Sequence, residues 1–166
     1  VRPDAGALAR ARSLTAAGRA AEALALTRAL VASAPDDPEA LSAHAEALLG
    51  AEGPEPALSV YTRAAALAPE HPAGFAGWAR CLHDLGRTAE AVAPARRAVS
   101  LALSTDDLRA LPAAALTLVL CLRELRRYRE ALAAAEEALA RVPDAVLGEW
   151  ASEIEREWAE AERERC

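Results

Sequence analysis

The chain has 166 residues, of which 53% are apolar, 27% charged and only 4% aromatic, a balance that excludes a disordered segment and a fibre. Alanine supplies 46 residues and isoleucine a single one, Ile154, so the composition favours helices and argues against a β-protein. The net charge of −6 disfavours nucleic-acid binding by the whole surface, and no apolar run of about 18 residues is present to span a membrane.

The absence of Lys, Asn, Gln and Met fits the codon usage of a GC-rich, bacterial genome. Three cysteines give no disulfide framework, which points to a reducing, cytoplasmic setting. The opening Val1-Arg2-Pro3-Asp4 shows no basic segment ahead of an apolar stretch, so no secretory signal is read there; without an initiator Met, an upstream signal stays open.

From the N-terminus, the first marked feature is Gly18-Arg19-Ala20-Ala21-Glu22-Ala23-Leu24. It returns weakly as Glu52-Gly53-Pro54-Glu55-Pro56-Ala57-Leu58, closely as Gly86-Arg87-Thr88-Ala89-Glu90-Ala91-Val92, and again as Arg126-Arg127-Tyr128-Arg129-Glu130-Ala131-Leu132. The alanines at 23, 57, 91 and 131 are separated by 34, 34 and 40 residues. Leu30, Ala64, Ala98 and Ala138 keep the same spacing, as do Pro35, Pro69, Leu103 and Pro143. A repeated unit of this length has to be read before any single element.

Each unit divides into two helical runs. In the third, Phe75, Trp78, Ala79, Leu82 and Leu85 share one helix face, and Gly86 supplies a left-handed stop. A second run from about Thr88 to Leu101 carries Ala91, Ala95 and Ala98, small enough for two antiparallel helices to approach closely; Pro94 reads as a tolerated bend within it. The proline column closes each unit, and Asp36-Asp37-Pro38 and Glu70-His71-Pro72 restart the next.

The 40-residue step places six extra residues near 104–111. Ser104 or Thr105 before two Asp predicts an early helix start near Asp106, kinked by Pro112, with a plain loop before Pro112 as the alternative. After Pro143, residues Val146, Leu147, Trp150, Ile154, Trp158 and Ala161 form an apolar arc at helical pitch. Glu149, Glu153, Arg156, Glu160 and Arg163 occupy the other face, with Glu and Arg three apart. This is the form of a capping helix, with Trp150 buried against the preceding helix; two tryptophans leave a partner-binding or dimerising helix open. The predicted organisation is one domain with units at about 4–37, 38–71, 72–111 and 112–145, then a cap at about 145–164.

The 34-residue period, the Gly-x-x-x-Glu-Ala turn, the small-residue columns and the closing Pro resemble the tetratricopeptide repeat (TPR) family over about Asp4–Pro143. Glu52, Arg126 and Leu103 depart from its pattern. The resemblance implies an all-α fold, a right-handed superhelix of antiparallel helix hairpins, used as a protein-interaction scaffold. It also implies that the first helix of each unit lines a concave groove. The candidate groove residues are then Leu8 and Arg12 in the first unit, Ser42, Glu46 and Leu49 in the second, Ala76, Arg80 and His83 in the third, and Leu116, Leu120 and Arg123 in the fourth. Family members that clamp chaperone C-termini use Lys and Asn there, and this chain has neither. Arg80, His83 and Arg123 beside an apolar strip suit a partner's carboxylates, with the arginines facing solvent when no partner is bound. Glu39, Glu46 and Asp84 repel a purely acidic ligand, so a protein or peptide segment of mixed charge is expected.

Enzymatic signals are poor: there is no phosphate loop, no Gly-x-Ser-x-Gly elbow and no His-Glu-x-x-His helix, and neither a metal nor a cofactor is expected. Cys81 and His83 stand two apart on a helix and point away from each other; Cys81 and Cys121 align in a packing column. His44 reads as a satisfied interior histidine, His71 as an exposed turn residue and Cys166 as an unpaired terminal thiol. The run Arg123, Arg126, Arg127, Arg129, offset by Glu124 and Glu130, is either a solvated surface or an anion site. The rivals to a monomeric adaptor are a homo-oligomer built through the last helix or the repeat ends, and a regulatory part of a larger enzyme or signalling protein.

Overall fold

The structure is a computed structural model that describes residues 4–164. The described residues form helices without strands: α1 (Ala5–Ala16), α2 (Ala20–Ser33), α3 (Pro38–Ala51), α4 (Pro54–Leu67), α5 (Pro72–Asp84), α6 (Thr88–Ser104), α7 (Leu111–Glu124), α8 (Tyr128–Arg141) and α9 (Ala145–Arg163). Consecutive helices pack as antiparallel neighbours, and the odd-numbered helices also touch in series, α1 to α3, α3 to α5, α5 to α7 and α7 to α9. The result is four stacked hairpins, and α9 takes the place that the first helix of a fifth would hold.

Alanine makes the stacking possible. Ala23, Ala57, Ala91 and Ala131, the four members of the first column, are fully buried. Leu111, Leu118, Leu122, Leu147 and Ile154 fill the largest core cluster with Ala91 and Ala131, while Ala23 and Ala57 pack in a second one with Leu24, Leu48 and Tyr61. Burial of each such Leu or Ile side chain contributes about 1.5–3 kcal/mol, so the bulk of the core lies toward the C-terminal half.

Three of the four hairpin turns share one construction. Gly18, Gly86 and Arg126 each adopt positive φ (74°, 74° and 57°), and the Arg that follows is the N-cap of the second helix. That Arg forms a bidentate pair with the Glu three residues on: Arg19 with Glu22 at 2.6 Å twice, Arg87 with Glu90 at 2.9 and 2.6 Å, and Arg127 with Glu130 at 2.7 and 2.8 Å. The motif is thus a turn closed by its own ion pair, with the carboxylate also favourably placed at a helix N-terminus. The second hairpin differs, because α3 runs to Ala51 and the left-handed residue moves to Gly53 (φ 98°), ahead of Pro54. Between units, Asp37 caps α3 by accepting from the Ala40 amide at 2.9 Å, and Asp144 caps α9 by accepting from Leu147 at 2.9 Å.

The early helix start near Asp106 is not formed. Ser104 ends α6 and Thr105 follows it; both hydroxyls donate back to the Leu101 carbonyl instead of capping a new helix. Asp106 turns the chain at φ 55°, and α7 begins at Leu111 with Pro112 in its first turn, where the missing amide hydrogen costs nothing. Compared with the step before it, three of the extra residues lengthen α6, two the connection and one α7. Pro94 lies inside α6 and is buried.

The last helix departs from expectation on both faces. Leu147 and Ile154 are buried, but Val146 is 49% exposed and Trp150 is only half-buried. Trp150 lies beneath the Arg123 guanidinium of α7, 4.6 Å from carbon to ring centroid. Glu153, placed on the outer face by the sequence pattern, turns inward to Arg123 at 3.3 Å; Arg156 and Arg163 donate to backbone carbonyls one turn earlier rather than to glutamates. Among the described residues no helix is long and apolar enough to cross a membrane.

Candidate functional site

The odd-numbered helices face a common hollow because each presents its outer stripe to the same side of the stack. One concavity of about 310 Å³ is lined by Arg12, Ser42, Ala43, Glu46, Tyr61, Ala73, Ala76, Gly77, Arg80, Ala110, Ala113 and Thr117. It adjoins a second of about 660 Å³ toward the N-terminal end, with which it shares Arg12, Ser42 and Ala73 and to which Leu8, Glu39 and His71 contribute. The two form one groove that crosses α1, α3, α5 and the start of α7.

Of the residues assigned to a groove from the sequence, this hollow gathers Leu8, Arg12, Ser42, Glu46, Ala76 and Arg80. Leu8 is buried at its edge, while Arg12, Glu46 and Arg80 are exposed. Leu49, His83, Leu116, Leu120 and Arg123 are outside it. On α7 the lining comes from Ala113 and Thr117; Leu116 is one residue, or about 100°, round the helix and packs on the core.

Arg123 is not free. Its guanidinium makes a bidentate pair with Glu157 of α9, Nε to Oε2 at 2.9 Å, and is 23% exposed. Hydrogen bonding to Arg123 holds the Glu157 carboxyl below the usual carboxylate range. The expectation that this arginine faces solvent is therefore corrected: α9 supplies the carboxylates that a partner was expected to bring. His83 is likewise engaged, with Nε2 2.9 Å from Glu124 Oε1 across units, and the other oxygen of Glu124 accepts from Thr88 at 2.8 Å. Arg80 lies 3.8 Å from Asp84 and Arg12 3.8 Å from Glu39, both open to solvent.

Tyr61 enters the groove from a second helix, α4, and pattern reading missed it. Its ring passes over Gly77, where an added Cβ would sit 2.1 Å from Cε1 and 2.3 Å from Cζ. The signal was a glycine in mid-helix, which costs about 1 kcal/mol against alanine unless something needs the space. Tyr61 is 7% exposed, and burial pushes its phenol well up from the ordinary value, so it is neutral.

The other candidates hold the chain together. Cys81 and Cys121 are buried, and desolvation pushes both thiols up to about 11, which makes them poor nucleophiles. His44 Nδ1 lies 3.0 Å from the buried Thr27 hydroxyl, and burial lowers its basicity. The arginine run is dispersed: Arg123 is bound to α9, Arg127 pairs with Glu130, and Arg129 lies 5.8 Å over Trp158. Cys166 lies outside the described residues. No group of three His, Cys, Asp or Glu able to hold a metal occurs among the described residues.

A family model described as anaphase-promoting complex, cyclosome, subunit 3 matches residues 16–98, and one described as tetratricopeptide repeat matches residues 116–149. No curated protein sequence matches the chain. Among solved structures, PilF of Pseudomonas aeruginosa is 17% identical at a TM-score of 0.78, covering 95% of this chain and 71% of its own. A thermophilic TPR protein of Thermus thermophilus is 24% identical at 0.68, covering 91% and 77%. YrrB, described as a TPR protein with an unusual peptide-binding site, is 19% identical at 0.64, covering 89% and 74%. The family serves protein interaction in general and is generally non-catalytic. With hairpins stacked in a right-handed superhelix and two family models matching along its length, the chain belongs to the tetratricopeptide repeat family.

Proposed function

We propose that the chain is a non-enzymatic, cytoplasmic adaptor that holds a segment of a partner protein in its concave groove. The observation that carries this reading is the groove itself, which runs unbroken past four helices and is floored by Ala43, Ala73, Ala76, Gly77, Ala110 and Ala113. Small side chains leave a shallow, accessible floor on which a partner supplies the bulk, the arrangement of a helix or extended segment laid in a groove. The thiols of Cys81 and Cys121 are buried and poor nucleophiles, and His44 and His83 are engaged within the chain, which leaves the exposed His71 as the histidine at the groove.

Affinity capture from the source lysate, with wild type and Ala73→Trp side by side, tests the proposal. Ala73 is exposed and lines both halves of the groove, so a Trp there fills the floor without disturbing the core. A partner retained by wild type and lost by the variant is the expected result. Equal retention by both proteins removes the groove as the binding face, and light scattering on the same samples separates a monomeric adaptor from a self-assembling one.

A further inference from the structure

We infer that the groove selects a partner segment bearing a basic side chain, an arginine or lysine seated between Glu46 and Tyr61; the inference rests on the groove being the docking site. Four charged residues line the central part of the groove and its edge toward α1: Arg12, Glu39, Glu46 and Arg80. Arg12 faces Glu39 and Arg80 faces Asp84, each at 3.8 Å, so both cations are compensated from within the chain. No ion pair engages the exposed Glu46 among the described residues. Asp37 and Asp107, at the N-terminal end, accept from the amides of Ala40 and Ala110. Arg123, the cation best suited to an acidic ligand, is held by Glu157 under α9.

Tyr61 adds an independent observation. It is more than nine-tenths buried, and its hydroxyl has no hydrogen-bond partner among the described residues. No enclosed side-chain oxygen or nitrogen lacks a partner among those residues, so the phenol oxygen keeps access to solvent, and Tyr61 lines the groove where its ring covers the space that Gly77 leaves. A partner lying on the floor strips water from this hydroxyl and from the Glu46 carboxylate together. The hydroxyl then needs a donor or a carbonyl, and the carboxylate needs a cation, because a desolvated polar group left unpaired opposes binding. An ammonium or guanidinium on the incoming peptide, with the backbone beside it, satisfies both. A carboxylate in the same place meets Glu46 head on.

A random-peptide display library selected on the full chain tests this, with wild type, Glu46→Gln, Tyr61→Phe and Ala73→Trp as baits. Wild type should enrich peptides rich in Arg and Lys, and Ala73→Trp should retain none of them. Fluorescent copies of the recovered peptides should bind Glu46→Gln about tenfold more weakly and Tyr61→Phe about fivefold more weakly. Tyr61→Phe should melt with wild type, since the hydroxyl it removes bonds to nothing in the free protein. Peptides blocked by Ala73→Trp but lacking basic residues, or indifferent to Glu46→Gln, overturn the basic-partner inference and leave the groove in place. Peptides indifferent to Ala73→Trp, or a library that yields no binder, overturn the groove reading beneath it.

Discussion

The two ends of the concave face start from similar side chains and finish in different states. Toward the N-terminus, Arg12 and Glu39 sit 3.8 Å apart, both more than half exposed, over an open hollow. Toward the C-terminus, Arg123 is clamped by Glu157, approached by Glu153 and stacked on Trp150. The difference is the neighbour. α9 continues the odd-numbered series and covers the end of α7, whereas nothing among the described residues lies across the groove between α1 and α7. In a repeat array, therefore, the next helix of the stack sets the availability of a side chain as much as its own column does.

The comparison breaks most sharply if α9 is loosened. Ile154 is fully buried beneath it, so Ile154→Ala should cost about 2–5 kcal/mol in denaturant unfolding. The loss should appear first as exposed Trp150 and Trp158 fluorescence, and an unchanged midpoint would show that α9 does not close the stack. At the open end, Gly77→Ala drives a methyl into the Tyr61 ring and should cost about 1–3 kcal/mol by overpacking, with the phenol displaced from the floor. Unperturbed stability and an unchanged tyrosine environment would contradict the described packing.

The arginine pair sharpens the same contrast. Arg123→Ala should cost about 1–2 kcal/mol, as a part-buried charged hydrogen bond does, while Arg80→Ala, on an exposed pair, should stay within about 0.5 kcal/mol. The Glu157 carboxyl is depressed in the folded chain, so its contribution is complete above the unfolded value of about 4.3 and disappears as pH falls through the lower folded value. The stability gap between wild type and Glu157→Gln, measured by urea titration, should thus be present at neutral pH and close in strong acid. One substitution should give a gain. Arg126 adopts φ 57° where two sister turns have Gly, and Arg126→Gly should raise the urea midpoint by about 0.5–1 kcal/mol of stability.

Most of the fold was legible in the sequence because a repeat writes the same physical constraint several times. Ala23, Ala57, Ala91 and Ala131 occupy one packing position and announce the spacing of the helices. What stayed illegible happens once. The residues at 104–111 have no second copy to compare with, and the capping propensity of Ser104 and Thr105 gave way to hydrogen bonds back into α6. On α1, α3 and α5 the repeat pattern puts Leu8, Arg12, Ser42, Glu46, Ala76 and Arg80 along the hollow but not Leu49 or His83. The groove was misread on α7, where an amphipathic pattern does not reveal that Glu153 and Glu157 turn inward to Arg123. Tyr61 was hidden because a second-helix residue reaches the floor only through the gap at Gly77.

The three Arg–Glu turn pairs also bear on how the chain folds in time. Each closes a loop between residues three apart, so a hairpin turn organises before any distant contact is made, and low contact order favours fast folding. The slow joint should be the connection from Thr105 to Ala110, six residues where the two earlier inter-unit connections have four. There the chain must close a longer loop before α7 meets α6, and the Arg141 to Asp106 pair at 2.6 Å can form only after the fourth hairpin has arrived. Refolding should accordingly advance through the first three hairpins as one front and add the fourth, with α9, as a later step.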